Sequence, residues 1–196
     1  MMENQDNDLN RTKNKENTIK VLVLGLDNSG KTSLIMSHKG ERNLMNYFSL
    51  KPTKNYNIET YKSSLNQTPI AVWDFGGQKI FRETHLANLK TYADSAQKLI
   101  YVFDVQDKKR YQVALTYLKK ILTRIKEQLN EIEIMIYLHK YDPGIEKDPD
   151  FNKEKIQNSL IPNIRELMPK NIKYEIDKTS IFTMFRKSTV FMNQID

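Results

Sequence analysis

Gly25-Leu26-Asp27-Asn28-Ser29-Gly30-Lys31-Thr32 fits the pattern G-x-x-x-x-G-K-[ST] at every fixed position. The apolar run Ile19 to Leu24 stands directly before it, and Ser33, Leu34, Ile35 and Met36 can start a helix after it. Strand, glycine-bearing loop and helix, in that order, read as a phosphate-binding loop. Glycines let the backbone wrap closely round a polyphosphate with its N–H groups turned inward, and the helix adds the positive end of its dipole. Asp27, Asn28, Ser29, Gly30, Lys31, Thr32 and Ser33 are therefore the expected nucleotide-binding residues. Lys31 is expected on the β- and γ-phosphates and the Thr32 hydroxyl on Mg²⁺.

Outward from this loop the chain alternates strand-like and helical stretches. Strands are predicted at 19–25, 55–63, 69–75, 98–105, 132–139 and 172–177. Val21-Leu-Val-Leu, Leu99-Ile-Tyr-Val-Phe and Ile132-Glu-Ile-Met-Ile-Tyr-Leu are nearly continuous apolar runs, as in parallel strands buried on both faces. Tyr111, Leu115, Leu118, Leu122, Ile125 and Leu129 recur at steps of three and four. That spacing predicts a helix over 108–129 with one stripe against the sheet. A second helical region is predicted over 152–167, broken or kinked by Pro162 and ended at Met168-Pro169. A last helix is predicted from Ser180 to the end of the chain, with Ile181, Phe185, Ser188, Met192 and Ile195 on one face. That stripe would pack on its own sheet or join a dimer. Residues 1–17 are polar and of mixed charge and read as a disordered tail. The remainder, 18–196, is the length of one domain.

Composition narrows the classes of function. Of the 196 residues 39% are hydrophobic, enough for a core, and none is cysteine. Disulfides, thiolate metal sites, a cysteine nucleophile, S-acylation and prenylation are excluded with it. No apolar run approaches the roughly 20 residues of a membrane span, no signal peptide is seen, and Met2 stands where N-myristoylation needs glycine. The expected location is cytoplasmic, with membrane contact only peripheral and through partners or surface charge. The net charge is +7. Lys108, Lys109, Arg110, Lys119, Lys120, Arg124 and Lys126 share a segment without acids, which reads first as a solvated helix face. Nucleic acid is not an expected partner, because no aromatic-rich or helix-turn-helix signature accompanies the charge.

Four further motifs follow in order. Trp73-Asp74-Phe75-Gly76-Gly77-Gln78 closes a strand. Asp74 is placed to hold Mg²⁺ through water, the Gly77 N–H to meet a γ-phosphate, and Gln78 to orient an attacking water as the catalytic residue. Pro52-Thr53 lies between the first helix and the second strand, where Thr53 can place its hydroxyl on Mg²⁺ and its N–H on the γ-phosphate. Thr60 is the alternative, though it falls inside a predicted strand. His139-Lys140-Tyr141-Asp142 follows an apolar strand. The Asp142 carboxylate can accept from guanine N1–H and N2–H₂, which adenine does not offer, and a buried acceptor left unpaired rejects the wrong base. The Lys140 stem can lie along the base plane. Thr179-Ser180-Ile181 can offer a backbone N–H to guanine O6.

Together these residues resemble a Ras-like small GTPase over about 18–196. Gly25-Leu-Asp-Asn-Ser-Gly-Lys-Thr-Ser33, Pro52-Thr53 and Trp73-Asp-Phe-Gly-Gly-Gln78 are similar to the Arf family. Leu99-Ile-Tyr-Val-Phe-Asp-Val105, His139 and Lys178-Thr-Ser-Ile181 are similar to Rag/Gtr GTPases. The resemblance implies an α/β, three-layer P-loop NTPase fold, a mostly parallel six-stranded sheet with helices on both faces. It implies GTP/GDP and Mg²⁺ as ligands and slow GTP hydrolysis as a molecular switch in trafficking or nutrient-type signalling. GTPase-activating proteins, exchange factors and effectors would be the partners, together with dimerisation with another GTPase. The alternative is a nucleotide-binding scaffold or heterodimer subunit that turns over little or no GTP. The sequence departs from the Arf pattern at Met2, where Arf proteins carry glycine, and in the polar 1–17, so recruitment to membranes in the Arf manner is not expected from the resemblance. Nor is heterodimerisation through a C-terminal roadblock-like domain in the Rag manner.

Overall fold

The computed structural model describes residues 18–63, 67–148 and 156–181. Six strands form: β1 (Ile19–Gly25), β2 (Tyr56–Lys62), β3 (Pro69–Phe75), β4 (Lys98–Asp104), β5 (Glu133–His139) and β6 (Tyr174–Lys178). They make one sheet in the order β2-β3-β1-β4-β5-β6. All neighbours are parallel except β2, which runs antiparallel to β3. The apolar runs explain the centre of this order. On β1 the side chains of Leu22 and Leu24 join one core and those of Val21 and Val23 the other. A strand apolar on both faces needs cover on both sides.

The helices supply that cover. α1 (Lys31–His38) lays Leu34 and Ile35 on the Val21 face. α2 (Leu44–Phe48) is one short turn, capped by the Asn43 side chain, which accepts from Met45 N–H at 3.0 Å. α3 (Lys79–Ala93), α4 (Tyr111–Arg124) and α5 (Ile161–Leu167) cover the Leu22 face with Leu89, Leu118, Ile121 and Ile164, all fully buried. Each such aliphatic side chain contributes roughly 1.5–3 kcal/mol. The layered α/β expectation is met.

Several expectations shift in detail. The 108–129 helix becomes a 3₁₀ turn at Lys108–Arg110 followed by α4, which ends at Arg124. The buried stripe nevertheless continues through Ile125 and Leu129, because i→i+3 bonds such as Gln128 N–H to Ile125 O wind the chain back toward β5. In the second helical region, 152–155 lies outside the described residues. Ile156–Leu160 winds as a π-helix, and α5 begins at Ile161 with Pro162 in its first turn. Proline there has no intrahelical N–H bond to lose. Met168, just before Pro169, leaves the helix with ψ 132°. The helices α2 and α3 were not read from the sequence. The tail 1–17 and the terminal helix beyond Ile181 lie outside the described residues. Among the described residues no helix is long and apolar enough to cross a membrane.

Candidate functional site

The loop between β1 and α1 turns through two left-handed residues, Asn28 (φ 59°) and Gly30 (φ 89°). A cavity of about 240 Å³ opens over it. Its lining brings together Asp27, Asn28, Gly30, Lys31, Thr32, Ser33, Thr53, Gly77 and Gln78 from three separate stretches of chain. Ser29 is buried under the loop, and its Oγ has no hydrogen-bond partner. Lys31 is buried too, and its Nζ donates to Leu26 O at 2.7 Å and Gly25 O at 3.3 Å. Burial pushes its pKa down to about 8, opposed by Asp74 and Asp27. A buried ammonium held by carbonyls alone is poised to accept an anion.

Thr32, Thr53 and Asp74 form a triangle of oxygens. Thr32 Oγ1 donates to Asp74 Oδ2 at 2.5 Å and Thr53 Oγ1 to the same oxygen at 3.0 Å, with 3.2 Å between the two hydroxyls. Asp74 is 3% exposed, and its Oδ1 has no partner. Burial raises its pKa, against the Thr32 hydrogen bond and the Lys31 charge. Thr60 sits elsewhere, exposed on β2 opposite Ala71.

Gly76 and Gly77 are buried and Gln78 is exposed. Gly76 N–H donates to Asn55 O at 2.6 Å, which ties the loop after β3 to the approach to β2. Gln78 is the N-cap residue of α3, yet its side chain makes no capping bond and is free to face the cavity it lines. Two turns further on, His85 is fully buried and its Nε2 lies 3.1 Å from Asn55 Oδ1. Burial lowers its pKa to about 4.

The base-side motif folds as a second cluster. His139 is 2% exposed, its Nδ1 is 2.9 Å from Thr179 Oγ1, and its ring lies against Gly30. Burial, then the Lys140 charge, lowers its pKa. Lys140 takes a left-handed backbone (φ 60°) and its Nζ donates to Asp104 Oδ2 at 2.7 Å. Ser180 Oγ donates to Asp142 Oδ1, and Gln106 Nε2 to Asp142 Oδ2 at 2.9 Å. Ile181 follows Ser180 and is half-buried. A cavity of about 600 Å³ lies beside Asp142 and Ser180, with Tyr141, Lys147 and Lys178 among its walls.

Sequence reading missed several neighbours of these groups. Arg110 Nη1 donates to Asp27 Oδ1 at 2.9 Å and its Nη2 to Asp27 O at 3.1 Å, while its Nε pairs with Asp107. In sequence Arg110 is one of a run of cations 83 residues from Asp27, so only the fold brings the two together. Gln106 and the Asn55–His85 pair carry no motif either, and Asp104, though inside the Leu99–Val105 run, was given no role there. The Ser180 hydroxyl also meets Asp142, a contact beyond the backbone N–H expected of the Thr179-Ser180-Ile181 stretch.

The sequence model of the ADP-ribosylation factor family matches residues 6–188. ADP-ribosylation factor-like protein 3 of Caenorhabditis elegans is 32% identical over 124 residues, 63% of this chain and 61% of that protein. ADP-ribosylation factor-like protein 3 of Chlamydomonas reinhardtii is 32% identical over 130 residues, 66% of this chain and 67% of that protein. The chain thus spans between three fifths and two thirds of the length of these relatives. In fold it is similar to the solved Arl6 BBS3 small GTPase from Trypanosoma brucei, with a TM-score of 0.63 and 24% identity over 83% of this chain and 87% of that one. A sequence model that matches nearly the whole chain, on a six-stranded sheet of this order, places the protein in a family: the chain belongs to the ADP-ribosylation factor family of Ras-like small GTPases.

Proposed function

We propose that the protein binds GTP and GDP with Mg²⁺ and hydrolyses GTP slowly as a molecular switch. The observation that carries this reading is the meeting of the Lys31 loop, the Thr32–Thr53–Asp74 triangle and Gln78 round one cavity. The loop amides and Lys31 hold the phosphates. Asp142, fixed by Ser180, accepts from guanine N1–H and N2–H₂, and Lys140 lies along the base.

The residues present fit Mg²⁺. One buried carboxylate with a free oxygen beside two hydroxyls is a hard, all-oxygen donor set. Such a set suits an ion that keeps several waters and shares the substrate's phosphates. When bound, the ion neutralises phosphate charge. Thr32 and Thr53 would hold it directly, and Asp74 through water. Gln78 orients the attacking water, and the remaining work is positioning and charge stabilisation. The guanidinium of Arg110, hydrogen-bonded to the phosphate loop, is engaged by Asp27 and Asp107, and Arg82 stacks its guanidinium over the Tyr117 ring at 5.3 Å. With no arginine among the described residues committed to the phosphates, unassisted turnover is slow and an activating protein supplies the missing charge.

The testing experiment is to denature the purified protein and identify the released nucleotide by ion-exchange chromatography. GDP or GTP is expected. ATP, ADP or no nucleotide would overturn the assignment of Asp142 to guanine.

A further inference from the structure

Gln106 follows β4 by two residues and belongs to no motif. Its side chain nonetheless uses both amide hydrogens on the base-side loop: Nε2 donates to Asp142 Oδ2 and to Lys140 O, each at 2.9 Å. Both neighbours are acceptors, so the amide has one consistent orientation. Its own N–H donates to Asp104 Oδ1 at 2.9 Å, and the other oxygen of Asp104 accepts from Lys140 Nζ at 2.7 Å. The end of β4 therefore grips Lys140 with Asp104 and Asp142 with Gln106. Gln106 is exposed to solvent, so its amide is not driven by burial to find these partners.

The consequence falls on the Asp142 carboxylate. Ser180 Oγ donates to Oδ1 and Gln106 Nε2 to Oδ2. Two donors on opposite oxygens fix the plane of a group whose terminal torsion is otherwise broad. Each oxygen keeps a further lone pair free. A carboxylate held in one plane can meet N1–H and N2–H of a base together, whereas one free to rotate meets them in turn.

We propose that Gln106 is a positioning residue that sets base selectivity by fixing the Asp142 carboxylate for the paired N–H groups of guanine. This rests on the reading of Asp142 as the guanine acceptor. Inosine diphosphate tests it, because it keeps N1–H and O6 but lacks the 2-amino group. The full-length protein and its Gln106→Ala, Gln106→Asn and Asp142→Asn variants would be compared by competition of GDP, IDP and XDP against a fluorescent GDP analogue. Gln106→Ala is expected to cut the GDP-over-IDP preference by on the order of tenfold, the equivalent of one lost charge-assisted hydrogen bond, with IDP affinity little changed. Gln106→Asn, whose amide is one methylene short, is expected to fall between. An unchanged preference, or equal weakening of GDP and IDP, overturns the proposal, since a residue that only braces the loop would weaken both. Failure of the underlying reading has a separate signature. Asp142→Asn should turn preference from GDP toward XDP, and if GDP stays preferred the guanine assignment falls and the role of Gln106 falls with it.

Discussion

Gly77 lies so close on the phosphate loop that a methyl on its Cα would stand 2.1 Å from the Asp27 backbone nitrogen and 2.4 Å from the Leu26 carbonyl oxygen. Gly77 is not among the glycines with positive φ, so alanine fits its backbone and only the collision opposes it. Two backbones meet there, and neither has a flexible end that can yield. Overpacking of this kind costs about 1–3 kcal/mol. Gly77→Ala is therefore expected to lower Tm by several degrees in a chain of this length and to speed nucleotide release. An unchanged Tm together with unchanged release would mean that the loop after β3 does not rest on the phosphate loop.

Gly30 meets a side chain instead. A methyl there would come within 2.4 Å of His139 Cδ2, and φ is 89°. Gly30→Ala therefore carries two costs, backbone strain and collision, and only the second depends on His139. In a cycle with His139→Ala, urea denaturation is expected to give the double variant about 1–2 kcal/mol more stability than the two single changes sum to. Strict additivity would refute the contact by which this histidine joins the two halves of the site.

His85 predicts a pH dependence whose sign follows from its burial. Its folded pKa is depressed to about 4 from an ordinary value near 6.5. As pH falls below 6.5 the unfolded chain takes up a proton that the native chain refuses, so stability is lost between pH 6.5 and 4 and the loss levels off below. Between pH 7 and 5 this amounts to about 2 kcal/mol. Urea titrations at the two pH values should show the wild type losing that much more than His85→Gln, which keeps a donor near Asn55. Equal losses would place the imidazole in solvent contact.

Much of this was legible in the chain. The runs at 21–24, 99–103 and 132–138 alternate between two buried faces, and that one property forces a sheet covered on both sides. The motifs after β1, β3 and β5 fall at the same ends of parallel strands because the parallel order puts them there. The helix α3 was not legible. It buries only His85, Leu89 and Ala93 out of fifteen residues, too sparse a stripe to stand out among charged neighbours. The end of α4 was misread for the opposite reason, since the buried stripe outlasts the helix through Leu129. Two resemblances competed in the motifs, and the family match falls on the Arf-like side. Contacts such as Arg110 to Asp27 and Gln106 to Asp142 have no periodicity and no spacing rule, so only the folded chain exposes them.

Gln78 is exposed and makes no capping bond on α3, which leaves its carboxamide free for a water molecule. Gln78→Leu is expected to lower single-turnover GTP hydrolysis at least tenfold while GTP affinity changes less than about twofold, the pattern of an interaction made only in the transition state. Equal hydrolysis by the two proteins would remove Gln78 from the reaction and favour the scaffold reading.

Asp74 separates function from stability. Its buried carboxylate accepts two hydroxyls at Oδ2, leaves Oδ1 unpaired and has a raised pKa from burial. In the nucleotide-free protein that charge carries a desolvation cost that the threonine hydroxyls and Lys31 only partly offset, and its removal relieves that cost. With Mg²⁺ and nucleotide the same charge becomes an asset. Asp74→Asn keeps the shape and removes the charge, so the nucleotide-free variant is expected to melt no lower than the wild type. Its nucleotide release should be fast from the outset and unmoved by EDTA, whereas wild-type release should accelerate on chelation. A variant that melts well below the wild type while keeping an EDTA response would make Asp74 a structural anchor for Thr32 and Thr53 rather than part of an ion site.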